Sequence, residues 1–281
     1  MDSYLKIATF LTPSMSLELY QVYQKFIEEK LSKGSILIVE SRSLCEQTST
    51  SDAESISASV FDIGFMSTKS YLKLKEKGAN VELLPVGAVH EHRLNSDELP
   101  IYYSDLIIHK STAKKYKQLE DLKGCKYAYN TQDSVSGYIL PLLELKKKGY
   151  NSSFFSNMLE SGSHLNSIKM VREQRVECAS VDSNALKFYL KSYPHAHDDF
   201  IAISSLGPLP VQPIVVRSSL PTEIKEELAD ALLSLPTLPN YSKLFAEYGI
   251  RKFTKVDDED YQAEMDIYKS IGQQSKTPAY Y

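Results

Sequence analysis

Residues 6–39 read KIATFLTPSMSLELYQVYQKFIEEKLSKGSILIV and contain a strand pattern, a helix pattern and a second strand pattern in that order. The short apolar runs at residues 6–10 and 35–39 predict two buried strands. Between them, apolar side chains recur at the spacing of one helical face, and Gly34 follows as a helix stop. That face consists of Leu19, Val22, Tyr23, Phe26, Ile27 and Leu31. A strand, a helix and a strand joined by short connections predict parallel pairing, and therefore an α/β fold.

The same alternation continues along the chain. A helix-like stretch rich in Ser, Ala and Glu precedes a third predicted strand, VFDIGF, at residues 60–65. Later strands are predicted at residues 102–108, 127–129, 178–181, 201–204 and 214–216, and helices at residues 164–173 and 183–193 and from about Ser136. The tail after Pro221 is predicted to be mostly helical. Two α/β units in 281 residues predict two lobes with a cleft between them.

The charge balance and the hydropathy pattern limit the kinds of partner. The chain has 32 Lys and Arg against 36 Asp and Glu, a formal net charge of −4, which argues against a nucleic-acid binder with a broad basic face. No window approaches 18 apolar residues, so we expect no membrane insertion. The first residues lack a basic region followed by an apolar one. We therefore expect a cytoplasmic protein as the sequence stands, and a periplasmic one if a leader had been removed.

The residues that commonly bind metals or perform catalysis are not arranged for either purpose. The three cysteines have no metal-ligand spacing, and the close histidine pairs lie in polar, loop-like stretches. These residues are Cys45, Cys125 and Cys178, and the pairs His90 with His92 and His195 with His197. The motifs G-x-G-x-x-G, G-x-x-x-x-G-K-[ST], G-x-S-x-G and H-E-x-x-H are missing from the sequence. We expect no metal, no cofactor and no catalysis.

The most informative local pattern is DSVSGYILP at residues 133–141, which follows a predicted strand. In open α/β sheets, ligands bind beyond the carboxyl ends of the strands. A helix that starts here would present free N–H groups and the positive end of its dipole, and Ser134 and Ser136 would add hydroxyl donors. This arrangement suits an oxyanion. The alternative is that Ser134 or Ser136 is only a helix N-cap.

Three other segments place small polar residues after a predicted strand. In ESGSHLNSIKMV, residues 160–171, His164 lies near a helix start and can donate to an anion, or serve as a cap or surface residue. In DSNAL, residues 182–186, Asp182 or Ser183 can cap the next helix. In FMSTKSY, residues 65–71, Ser67 and Thr68 can supply donors from the other lobe or act as an N-cap.

The ordered combination of these segments resembles the periplasmic phosphonate-binding proteins of ABC transporters. The runs that carry the resemblance are VFDIGFMSTKSYLKL, YYSDLIIHKS, KQLEDLKGCKYAY, DSVSGYILPLLELKKKG, SGSHLNSIKMVREQRVECASVDSNAL and PLPVQPIVVRSSLP. They extend from about residue 60 to about residue 235 with consistent order and spacing. The resemblance implies a type II periplasmic-binding-protein fold. Each lobe would be a mainly parallel sheet flanked by helices, and the two lobes would close on the ligand like a hinge.

The resemblance also implies the domain boundaries and the anion-binding residues. Lobe 1 would comprise residues 1–105 and 211–281, and lobe 2, inserted between them, residues 106–210. In this family the S-x-S-G turn and a histidine hold the phosphonate oxygens. The matching positions here are Ser134, Ser136, Gly137 and His164, and the backbone N–H groups of Val135 and Tyr138 would contribute as well.

The sequence departs from the family where aminoalkylphosphonate binders carry carboxylates. The two positions hold Asn184 and Gln212, and an aromatic hydroxyl of the family is replaced by Met66. A ligand ammonium would lose two charge partners, unless Asp182 replaces one of them. The anion half of the site is thus retained, and the ammonium half is rebuilt with neutral amides.

We therefore expect a solute-binding protein that captures a small phosphonate- or phosphate-like oxyanion without catalysis. Its partner would be an ABC permease if the protein is exported. One alternative is an enzyme resembling thiamin-pyrimidine synthases on the same scaffold, which needs a pyridoxal phosphate lysine, for which Lys69 is the obvious candidate. The other is a homologue that has lost its ligand.

Overall fold

The computed structural model describes residues 4–40 and 61–272 of the chain, and within those ranges it contains twelve strands and eight α-helices. The strands are β1 (Tyr4–Thr9), β2 (Gly34–Val39), β3 (Ile63–Phe65), β4 (Val81–Leu83), β5 (Val86–His90), β6 (Ile101–His109), β7 (Lys126–Tyr129), β8 (Asn157–Glu160), β9 (Cys178–Asp182), β10 (Phe200–Pro210), β11 (Ile214–Arg217) and β12 (Ile250–Lys255). The α-helices are α1 (Leu17–Leu31), α2 (Thr68–Glu76), α3 (Leu140–Lys147), α4 (His164–Arg172), α5 (Ser183–Ser192), α6 (Thr222–Leu233), α7 (Pro239–Ala246) and α8 (Gln262–Gly272). The helix-like stretch predicted before residue 60, and Cys45 within it, lie outside the described residues.

The chain divides into two compact units. Unit 1 comprises Met1–Thr12, Ser16–Ile101 and Pro210–Tyr281, and unit 2 comprises Pro13–Met15 and Tyr102–Leu209. The main segment of unit 2 is thus inserted into unit 1. It starts at residue 102, where the sequence predicts 106, and it ends at residue 209, where the sequence predicts 210.

Unit 1 is organised around a five-stranded sheet in the order β2-β1-β3-β11-β4. Strand β1 pairs in parallel with β2 and β3, whereas β11 is antiparallel to β3 and β4. The predicted apolar face of α1 is buried except for Val22, which is half-buried. The Tyr23 ring of this face lies 4.6 Å from the Phe65 ring of β3 and 4.9 Å from the Phe245 ring of α7. Burial of each large side chain of this kind contributes roughly 1.5–3 kcal/mol. Packing of these rings therefore holds α1 and α7 to the sheet.

The described chain after Pro221 is mostly helical, as predicted, and it also contains a strand that the sequence did not predict. Strand β12 pairs antiparallel with β5 in a separate two-stranded sheet. Ile250 and Phe253 of β12 are buried, and the residues between them are more exposed. Their partner strand lies far away in the sequence, so a local search for periodicity does not detect the pair.

Unit 2 contains a second five-stranded sheet in the order β10-β6-β9-β7-β8. Strand β7 pairs in parallel with β8 and β9, and β6 is antiparallel to β9. Alternate residues of the strands enter two separate apolar clusters. Leu106 and Tyr127 belong to one cluster, and Ile107 and Ala128 belong to the other. Because successive strand residues point to opposite faces, this sheet is covered on both sides.

The two large sheets are mainly parallel, as the resemblance implied, and each also contains antiparallel pairings. The antiparallel strands β6 and β11 begin at residues 101 and 214, close in sequence to the start and the end of the main segment of unit 2. The remaining described pairings of the two large sheets that have a recorded direction are parallel. None of the helices in residues 4–40 and 61–272 combines the length and the apolar character that a membrane span requires.

Candidate functional site

Parallel pairing of β7 with β8 and β9 brings three strand ends to one edge of the unit 2 sheet. Tyr129 at the end of β7 lies opposite Glu160 at the end of β8, and β9 ends at Asp182 on the other side. The segments that follow these strands contain three of the predicted polar patterns: residues 130–138, 161–164 and 182–184. The structure therefore brings together the unit 2 part of the predicted site.

The segment after β7 forms a helix start with free donors. Ser134 is the N-cap, and its Oγ accepts from the Gly137 N–H over 3.0 Å. The Ser134 carbonyl accepts from the N–H groups of Tyr138 and Ile139, 3.1 and 3.0 Å away, which closes a wide turn that continues into α3. That cap bond uses a lone pair of the Ser134 hydroxyl and leaves its proton available.

The donors at this turn differ in one respect from the expectation. The Tyr138 N–H, predicted to face an anion, is committed to the Ser134 carbonyl. The N–H groups of Val135 and Ser136 occupy the first positions of the helix, which lack intrahelical acceptors. Neither has a hydrogen-bond acceptor within the described residues. The pair of donors offered by the backbone is therefore Val135 and Ser136.

Two hydroxyl groups on strands of the sheet donate hydrogen bonds to backbone carbonyls of this turn. Ser104 Oγ on β6 donates to the Ser136 carbonyl over 2.5 Å, and the Tyr127 hydroxyl on β7 donates to the Gly137 carbonyl over 2.6 Å. Ser104 and Tyr127 are fully buried. Sequence reasoning did not identify Ser104, because a serine within a buried strand has no pattern that distinguishes it from a core residue.

His164 is the first residue of α4 and lies against the same turn. Its side chain is buried, and its Nε2 lies 3.4 Å from Ser136 Oγ. On the other side of the ring, Nδ1 accepts from the Asp182 N–H over 3.4 Å. Its backbone N–H donates to Ser14 Oγ over 3.3 Å. Burial lowers the pKa of His164 from 6.5 to about 4, so the imidazole is neutral at pH 7.

Asn130 is the residue of this cluster that sequence reasoning missed. It is the first residue after β7, and its Nδ2 lies 3.3 Å from His164 Nε2. Its Oδ1 is buried and has no hydrogen-bond partner within the described residues. A Cβ added at Gly137 would overlap this Oδ1, so a larger residue there would displace the Asn130 amide from its described position. The only available signal was its position directly beyond a strand.

The segment after β9 has both structural groups and an available donor. Asp182 caps α5, since its Oδ1 accepts from the N–H groups of Asn184 and Ala185 over 2.7 and 3.4 Å. Ser183 Oγ accepts from the Tyr103 N–H over 3.2 Å. Asn184 is 3 % exposed, and its Nδ2 has no hydrogen-bond partner in the part of the chain that the structure describes. Asn184 is therefore the residue of this segment with an uncommitted polar group.

The candidates in unit 1 have mainly structural contacts. Ser67 is the N-cap of α2: its Oγ accepts from the Ser70 N–H over 3.2 Å and donates to Ser70 Oγ over 3.0 Å. Thr68 is buried in the first turn. Met66 is fully buried in an apolar cluster with Phe61, so its observed role is packing. Gln212 is half-buried between β10 and β11. Ligand contacts by these residues stay predictions.

The other candidate groups do not form a reactive centre in the described residues. No cluster of three or more His, Cys, Asp or Glu side chains that could hold a metal is found in residues 4–40 and 61–272. Cys125 and Cys178 are buried and free, and burial raises the pKa of both thiols. Lys69 Nζ lies 5.5 Å from the centre of the Tyr268 ring, an ordinary cation–π distance.

The protonation of His164 in the ligand-free protein is a direct test of this geometry. Because burial disfavours the charged ring, we expect imidazole NMR to find a neutral ring with the proton on Nε2, titrating near pH 4. The unfolded chain then binds more protons here between pH 6.5 and 4. Stability therefore falls as pH decreases through that window, by roughly 3 kcal/mol.

The control for the stability measurement is His164→Gln, which has no titrating ring and should lose less stability over the same pH range. A ring with its proton on Nδ1, or a titration midpoint above pH 6, would contradict the described environment of His164.

Comparison with known proteins places this geometry in a family. The family model for the periplasmic substrate-binding protein of phosphonate ABC transporters matches residues 46–261 of the chain. A solved binding-protein component of an ABC phosphonate transporter from Pseudomonas aeruginosa is 17% identical, with a TM-score of 0.77 over 99% of this chain and 90% of that one. PhnD1 from Prochlorococcus marinus, in complex with methylphosphonate, is 14% identical, with a TM-score of 0.73 over 96% of this chain and 98% of that one.

A third solved structure widens the range of ligands found on this fold. The periplasmic aliphatic sulphonate binding protein SsuA from Escherichia coli is 12% identical, with a TM-score of 0.62 over 99% of this chain and 89% of that one. At these identities the structures establish the fold, which is that of type II periplasmic binding proteins. The family match covers residues 46–261, which is most of the chain. The chain therefore belongs to the family of periplasmic substrate-binding proteins of phosphonate ABC transporters.

Proposed function

We propose that this protein captures a small phosphonate- or phosphate-like oxyanion between its two units, which close around it, and releases it unchanged. The observation that carries the proposal is the group of donors at the carboxyl edge of the unit 2 sheet. It consists of the Ser134 and Ser136 hydroxyls, the N–H groups of Val135 and Ser136, and the His164 Nε2. Helix starts of this kind bind oxyanions through N–H groups and the helix dipole.

The donors are all uncharged, which agrees with the modest net charge of the chain. His164 is neutral at pH 7 because burial lowers its pKa to about 4. Hydrogen bonds from neutral donors to a charged acceptor contribute about 1.5–3 kcal/mol each. Four such bonds contribute about 6–12 kcal/mol before the cost of association is subtracted. A cluster of basic residues is therefore not required.

The ligand class follows from the geometry and agrees with the relatives. A turn with several converging donors fits a tetrahedral head group with three oxygens. Methylphosphonate is the ligand in the PhnD1 structure, and SsuA is named for aliphatic sulphonates. We include Ser67, Thr68 and Gln212 of unit 1 as ligand contacts in the closed protein. The proposed partner is an ABC permease and the proposed compartment is the periplasm. Cell fractionation distinguishes this from a cytoplasmic binding protein.

The organic part of the ligand is proposed to be uncharged or hydroxylated. The Oδ1 of Asp182 accepts from two N–H groups as a helix cap, so this carboxylate is oriented by the start of α5, whereas Asn184 and Gln212 supply no charge. Asn184 offers a buried NH₂ group, which donates to a hydroxyl, ester or carboxylate. Burying an ammonium without a carboxylate costs several kcal/mol.

Removal of the two serine hydroxyls tests the anion position. We expect Ser136→Ala to weaken binding of methylphosphonate roughly tenfold or more, because it removes a bond to a charged oxygen. The double substitution Ser134→Ala, Ser136→Ala should weaken it further, as measured by calorimetry. Ser153→Ala is a suitable control, since Ser153 is exposed in the same unit and its hydroxyl donates to Asn151 Oδ1 in a different turn. Unchanged affinity in the double variant would place the anion elsewhere.

Selectivity between paired ligands tests the rebuilt half of the site. We expect 2-aminoethylphosphonate to bind more weakly than 2-hydroxyethylphosphonate, since Asn184 and Gln212 supply no negative charge. Introducing carboxylates by Asn184→Glu and Gln212→Asp should increase affinity for the amino ligand and decrease affinity for the hydroxy ligand. Calorimetric titrations of both ligands with both proteins provide the comparison. A wild-type preference for the amino ligand would contradict this proposal and would point to Asp182 as the partner of the ammonium.

A further inference from the structure

Asn130 lies at the centre of the hydrogen bonds around His164, and the direction of its carboxamide decides what the site offers a ligand. Its two amide positions differ in their surroundings. One lies 3.3 Å from His164 Nε2, and the other lies over Gly137, where an added Cβ would also come within 3.1 Å of Ser134 Oγ. Oxygen and NH₂ have nearly the same shape, so the hydrogen-bond partners decide which atom occupies each position.

The position of the histidine proton follows from a backbone group. The Asp182 N–H points at His164 Nδ1 over 3.4 Å, and a backbone N–H can only donate. Nδ1 must therefore be the unprotonated nitrogen. In a neutral imidazole the proton is then on Nε2. The group that faces both Asn130 and Ser136 Oγ is thus an N–H donor.

An Nε2–H donor selects the oxygen of the Asn130 amide. With NH₂ toward His164, two donors face each other over 3.3 Å, and the buried Oδ1 has no partner within the described residues. Rotating the carboxamide by 180° lets the oxygen accept from Nε2–H and leaves the NH₂ group over Gly137 as a buried donor without a partner in the described residues. One buried group is unpaired in either orientation, so removal of the donor–donor contact decides between them, and a bound oxyanion would satisfy the NH₂ group.

We propose that Asn130 is a specificity-determining residue of the anion site: its Oδ1 accepts from His164 Nε2–H, and its NH₂ group points over Gly137 as an additional donor to the bound oxyanion. This inference rests on the proposed function of the same turn. With Nε2–H given to the Asn130 oxygen, His164 acts on the anion through Asn130 in place of a direct hydrogen bond. The direct donors are then the Asn130 NH₂, the Ser134 and Ser136 hydroxyls and two backbone N–H groups. The added NH₂ favours a fully ionised head group, because an amide NH₂ cannot accept from a protonated oxygen.

Two substitutions of Asn130 test its orientation, and the first gives opposite results for the two orientations. If NH₂ faces the anion, Asn130→Ala removes a donor, and affinity for methylphosphonate at pH 8 falls roughly tenfold to a hundredfold. If the oxygen faced the anion, the same substitution would remove a repulsive group and leave affinity unchanged or improved. Asn130→Asp places a carboxylate beside the anion and should reduce affinity on the order of a hundredfold or more.

The matched control is Asn151→Asp in the same unit. Asn151 is exposed, and its Oδ1 already acts as an acceptor for the Ser153 N–H over 3.0 Å, a role that aspartate retains. This variant makes the same change of charge away from His164 and should bind methylphosphonate within about twofold of wild type. Calorimetry of wild type and the three variants completes the set. Equal affinity of wild type and Asn130→Ala overturns the proposal.

A measurement without ligand separates this inference from the proposed function. In ligand-free Asn130→Asp, a carboxylate that accepts from Nε2–H should raise the pKa of His164 by about 1–3 units above the wild-type value in an NMR titration. The Asn151→Asp protein should show the wild-type titration. A shift at His164 with no phosphonate binding by wild type would support the Asn130–His164 contact and refute the anion site. If the pKa of His164 does not shift, the contact between the two side chains is refuted, and with it the proposed orientation of Asn130.

Discussion

The parallel pairing of β7 with β8 and β9 is the constraint on which the proposed site depends. Three strand ends meet at one edge, and each is followed by a turn whose polar atoms would otherwise be far apart in the sequence. His164, Asp182 and Ser136 reach one another only through this register. A one-residue slip of β9 would reverse the faces of its side chains and move the Asp182 N–H away from the imidazole. The two apolar clusters on opposite faces of the sheet prevent such a slip.

Burial of His164 determines the electrostatic character of the cluster. At pH 7 the cost of charging an imidazole with a pKa of about 4 is about 4 kcal/mol, so the ring acts as a fixed dipole with a donor on Nε2. The hydroxyls of Ser104 and Tyr127 hold the facing turn through its carbonyl groups. Donors fixed in this way need little reorganisation when an anion arrives, which favours affinity from a small number of neutral groups.

Local periodicity was sufficient to predict the elements whose sequence pattern lies entirely within the element itself. The buried face of α1 and the strand, turn and helix around DSVSGYILP follow the predicted pattern within a few residues. Strands β5 and β12 were missed because each is short and pairs with a partner distant in sequence. The wide turn at Ser134 was also missed. It engages the Tyr138 N–H and moves the free donors to Val135 and Ser136, a shift that depends on tertiary contacts with Ser104 and Tyr127.

The clearest limit of the sequence argument concerns Asn130 and Gly137. A glycine in an S-x-S-G turn suggests a backbone that approaches the ligand closely, and that interpretation needs only local sequence. In the structure, the space left by the missing Cβ is occupied by the Asn130 amide. Gly137 does not have a positive φ. Its lack of a side chain therefore matters for the space that the Asn130 amide occupies, and not for the backbone conformation. Because the two residues share one space, their substitutions should not be additive. The glycine and the asparagine form one unit of the site, although no pattern along the chain links them.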